Sequence, residues 1–168
     1  MIKLTEYSAY FEKLSRQHVD IKHNDSAPRF FRLKGRDVTT KLQRADNIIL
    51  VLESPEFSFS DNNSDNIFKD RIGAFAILKR VKKLDDFIEQ EDAVDECEQI
   101  AEEIFKLMRR DNKSYSEQLF GYLPINSFSG FKVGPVYDGF YGIRVEFKFG
   151  DAVSMCVDES KWNFNTGN

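Results

Sequence analysis

Residues 131–149, FKVGPVYDGFYGIRVEFKF, carry the clearest structural instruction in the chain. Asp138-Gly139 lies between two strand-forming runs, and Asp-Gly suits the left-handed backbone of a tight antiparallel turn. Beyond the turn, Tyr141, Ile143, Val145, Phe147 and Phe149 share one parity, while Gly142, Arg144, Glu146 and Lys148 share the other. Alternate side chains of a strand point to opposite faces, so this strand offers one face to a core and one to solvent or a partner. Gly150-Asp151 reads as another turn, leading into a strand VSMCV at 153–157. The polar tail 158–168, which carries Trp162 and Phe164, reads as loosely ordered.

A second hairpin is written earlier, at 47–83. NIILVLES at 47–54 is continuously apolar from Ile48 to Leu52, the pattern of a strand covered on both faces. Past Pro55, Phe57 and Phe59 alternate with Ser58 and Ser60, as in an edge or bulged strand. DNNSDN at 61–66 is the polar tip, and residues 67–83 return as a long strand.

Helices fill the remaining segments. Leu4, Tyr7, Phe11, Leu14 and His18 make one stripe over 3–18. HNDSAP at 23–28 ends that helix and leads to an extended FFRL at 30–33. From Leu84 to about Arg110, Val94, Cys97, Ala101, Ile104 and Met108 recur at helical spacing. The first half of this helix carries Asp85, Asp86, Glu89, Glu91, Asp92, Asp95, Glu96 and Glu98, and its end carries Lys106, Arg109 and Arg110, the order the helix dipole favours. The acidic block reads as a solvated helix face or as a docking surface for a basic partner. Residues 111–124 read as irregular. The fold class is therefore α+β: a mainly antiparallel sheet of two hairpins, packed by an N-terminal helix and one long acidic helix. A single domain spans 1–157.

Composition limits the function classes. Acidic and basic side chains number 28 and 24, giving a net charge of −4 and no global field towards nucleic acid. No apolar run reaches the ~18 residues of a membrane span, and Glu6, Glu12 and Lys13 interrupt the place of a signal peptide's apolar stretch. The expectation is a cytoplasmic protein. Cys97 and Cys156 fit no CxxC or metal pattern and read as two buried free thiols. Sixteen Phe and six Tyr suit strands and self-association surfaces.

Asp138 with Glu146 and Lys148 has the residue types of a metal-dependent nuclease, in which two carboxylates hold a divalent ion and a lysine assists the water. Each also has a simpler explanation, in the turn and in the polar parity of an amphipathic strand. His18, Asp20, His23 and Asp25 have metal-ligand chemistry but the spacing of no metal motif, and read as a helix terminus. Lys79, Arg80, Lys82 and Lys83 read as charge complementarity with Asp85 and Asp86, as lysine protection of a strand edge, or as a phosphate or partner contact. No phosphate loop, nucleophile elbow or Cys/His pair is present, and no cofactor is implied.

The order of elements, with NIILVLES, RIGAFAILKRV and a final EFKFGD strand around a long helix, resembles the tail-terminator or tail-completion proteins of tailed bacteriophages. The resemblance covers about residues 4–150. It implies a non-enzymatic subunit of a homo-oligomeric ring, located in a bacterial host's cytosol or in a virion, whose partners are copies of itself and tail-tube or head-tail proteins. Phe57, Phe59, Lys79, Arg80, Lys82, Lys83, Arg144, Glu146 and Lys148 are then the interface candidates. A small cytosolic binding or adaptor domain is the alternative.

Overall fold

Every residue of the strand Ile49–Leu52 is buried. That outcome follows from two cores, one on each side of the sheet. Leu50 and Leu52 face a large core that they share with both helices, while Ile49 and Val51 face a smaller one with Phe31, Leu42, Ala45, Ala76, Leu78 and Phe140. The computed structural model describes the chain apart from residues 1, 34–41, 43, 44, 46, 62–66, 115–118, 138 and 164–168. Asp138, most of the DNNSDN tip and Phe164 thus lie outside the described residues.

The described elements run α1 (Leu4–Gln17), β1 (Phe30–Arg32), β2 (Ile49–Leu52), β3 (Glu56–Asp61), β4 (Ile67–Arg80), α2 (Phe87–Lys113), β5 (Ser129–Val136) and β6 (Phe140–Val153). The sheet order is β1-β2-β4-β6-β5, and β3 also pairs with β4. β4 is its spine. Along one edge it takes β2 at 75–78 and β3 at 67–72, and along the other it pairs with β6 over all fourteen residues. Pro55, which has no N–H to give a ladder, lies in the break between β2 and β3.

The α+β class and both hairpins are observed, with three corrections. β1 runs parallel to β2, so the sheet is mixed. β6 continues through Gly150-Asp151 to Val153, because the long partner β4 goes on offering it backbone groups; VSMCV forms no further strand. Finally, α2 extends to Lys113, into the segment read as irregular, since Asp111 still faces inward and is buried.

Phenylalanine is spent largely on the helix side of the sheet. Phe11, Phe75, Phe120, Phe147 and Phe149 are all buried around Tyr7, whose ring stacks on Phe149 at 5.9 Å. The Tyr7 hydroxyl and the Phe147 ring meet over Gly73, where a Cβ would sit 2.9 Å and 2.6 Å from them. Leu4, assigned to the apolar stripe of α1, is exposed instead.

Candidate interaction surfaces

The first half of β4 joins β3 and the end of β6 in a three-stranded arm. Phe57 and Phe59 lie on one face, each 61% exposed, with their rings edge to face at 5.9 Å. The Lys69 ammonium sits 4.1 Å from the Phe57 ring centre, a cation–π contact. Phe68 and Ile72, also exposed, occupy the opposite face. Among the described residues β3 pairs only with β4, and no strand lies on its outer edge.

The other sequence candidates mostly serve the fold. Arg144 crosses the small side chains of Ala74 and Ala76 to reach Glu53 with two hydrogen bonds of 2.6 and 2.9 Å, and donates a third to Glu146 at 2.6 Å. These carboxylates raise the affinity of the guanidinium for its proton. Glu146 is therefore engaged with Arg144, while Lys148 is exposed at the sheet surface. Lys79 pairs with Glu96 of α2, and the Arg80 guanidinium lies 5.1 Å from the Phe140 ring centre. The backbone N–H groups of Lys82 and Lys83 donate to the Glu89 carboxylate at 2.9 and 3.1 Å. Asp86, expected to complement the basic run, instead caps α2 by accepting from the N–H groups of Ile88 and Glu89.

The histidine cluster is likewise structural. His23 Nδ1 accepts the Arg29 N–H at 3.0 Å, His18 Nδ1 accepts that of Asp20 at 3.2 Å, and Asp25 pairs with Arg16 at 2.7 Å. Burial lowers the pKa of both imidazoles. Among the described residues no group of three His, Cys, Asp or Glu side chains could hold a metal ion. Cys97 is buried against the Tyr141 carbonyl, and desolvation pushes its thiol up to about 12. Cys156 is exposed, against expectation, because it follows the last strand of the sheet and is not held in its ladder.

One further surface lies along the acidic block of α2, which the sequence offers as a docking face for a basic partner. Beside α2 the sheet carries an open groove of about 810 Å³. Its floor includes Val94, Ala101, Phe105, Phe128, Ile143 and Val145, and its far wall is Gly130 and Lys132 of β5. Glu91, Asp95, Glu98 and Glu102 form the helix wall. The acidic row was readable at a helical spacing of four, three and four; its neighbour across the groove depends on where the terminal strand lands. Among the described helices none is long and apolar enough to cross a membrane. No protein-family model and no curated protein matches the chain.

Proposed function

We propose that this protein is a non-enzymatic assembly subunit that associates with further copies of itself through the three-stranded arm, in the manner of the tail-terminator proteins that its element order resembles. The observation that supports this most is the arm. A six-residue edge strand, whose outer side takes no strand among the described residues, carries two exposed aromatic rings, and exposed edges and exposed apolar patches are the surfaces that proteins use for pairing. The charged candidates contribute little, since Arg144, Glu146 and Lys79 are paired within the chain. A head-to-tail contact through the arm would give a closed ring if the rotation closes.

Sedimentation velocity over a hundredfold range of concentration tests the reading. The expected result is a defined oligomer that Phe57→Ser with Phe59→Ser reduces to a monomer with an unchanged circular dichroism spectrum. A chain that stays monomeric throughout, or an oligomer indifferent to both substitutions, overturns it. Electron microscopy of the oligomer then asks whether it is a ring.

A further inference from the structure

We propose a second docking surface, distinct from the arm: the groove between α2 and β5 takes a short extended segment of a partner protein, with lysine or arginine on one parity, added as a strand to the outer edge of β5. Three observations converge on this occupant. β5 is the terminal strand of the sheet, and within the described residues it pairs only with β6. Residues 129–133 hold a regular register with β6, so their outward backbone groups can accept another strand, whereas the register breaks between Val133 and Val136. Finally, Gly130 has no side chain, which leaves an open path from that edge over β5 to the groove floor.

Charge fixes the chemistry of the segment. Glu91, Asp95 and Glu98 form no ion pair among the described residues, and Glu102 has only Lys106, at 3.7 Å, which also holds Glu103. Like charges four apart on a helix repel, so this row carries a cost that a cationic partner would relieve. Beneath the carboxylates lies an apolar floor. A lysine or arginine side chain meets both demands, laying its aliphatic stem on Val145 and Phe105 and its charged head against Asp95 and Glu98. The groove has the size of a site for a short segment's side chains, in the usual range of about 300–1,000 Å³.

The test is selection of a displayed random decapeptide library on the whole chain, followed by fluorescence anisotropy with the most enriched peptide. Enriched sequences should carry basic residues at every second position. Binding should weaken at least tenfold with Asp95→Asn plus Glu98→Gln, while the melting temperature does not fall and the oligomer size stays unchanged. N-methylation of alternate peptide residues should abolish binding in one phase and spare it in the other, as strand addition requires. Enrichment of acidic or helical-pattern peptides, no enrichment, indifference to the paired substitution, or equal tolerance of both methylation phases each overturns the proposal. Loss of oligomerisation in the arm variant would leave this binding intact, so the two surfaces fail separately.

Discussion

Arg144 and Glu53 meet across the width of β4, joined by hydrogen bonds of 2.6 and 2.9 Å that tie β6 to the end of β2. Both side chains are about 30% exposed, so solvent weakens the pair without removing it. Arg144→Met keeps the bulk and loses the fork, and leaves Glu53 and Glu146 facing each other. Urea unfolding should show a loss of about 1–2 kcal/mol, with Arg144→Lys recovering only part of it.

Gly73→Ala should cost more. The new methyl would meet Phe147 and the Tyr7 hydroxyl well inside contact distance, and both rings are buried in a packed cluster. Overpacking of this kind costs about 1–3 kcal/mol, and the melting temperature should drop by several degrees. Gly73→Ala with Tyr7→Phe should recover part of the loss, because removing the hydroxyl frees one of the two contacts.

The two cysteines should differ sharply in reactivity. At pH 8 a thiol reagent should label one site per native chain, Cys156, because the buried thiol of Cys97 stays protonated. Mass spectrometry of the labelled peptides identifies the site, and denaturant should release the second.

Acid should weaken the fold before its carboxylates titrate. His18 and His23 have pKa values lowered by burial in the folded chain, against about 6.5 when unfolded. The unfolded chain therefore binds protons first as pH falls below 6.5, and stability declines as pH passes down through the lowered values. Protonation would also cost His23 its bond from the Arg29 N–H. Melting temperatures between pH 7 and pH 4.5 should fall, and His18→Gln with His23→Gln should flatten that slope.

Much of this architecture was legible in residue order. Strict alternation after Asp138-Gly139 gave β6 its faces, and the unbroken run Ile48–Leu52 announced a strand buried on both sides. What sequence could not give was the consequence of a long neighbour. Gly150-Asp151 looks like a turn in isolation, yet β4 holds it in the ladder opposite Asp70 and Lys69. Similarly, Arg144 reads as a solvated residue until Ala74 and Ala76 are placed beneath it. The groove was half legible: α2 displayed its carboxylates, but only tertiary packing brought β5 opposite them.

The pairing of β4 with β6 has a consequence for the birth of the molecule. β4 is complete by residue 80, whereas its full-length partner begins at residue 140. On the ribosome, one whole edge of the strand and its row of apolar side chains must wait for about sixty further residues, several seconds of synthesis at common rates. During that interval the nascent chain is a target for chaperones and for mispairing. A chain released before residue 140 should accumulate as aggregate, because it lacks the strand that completes the sheet.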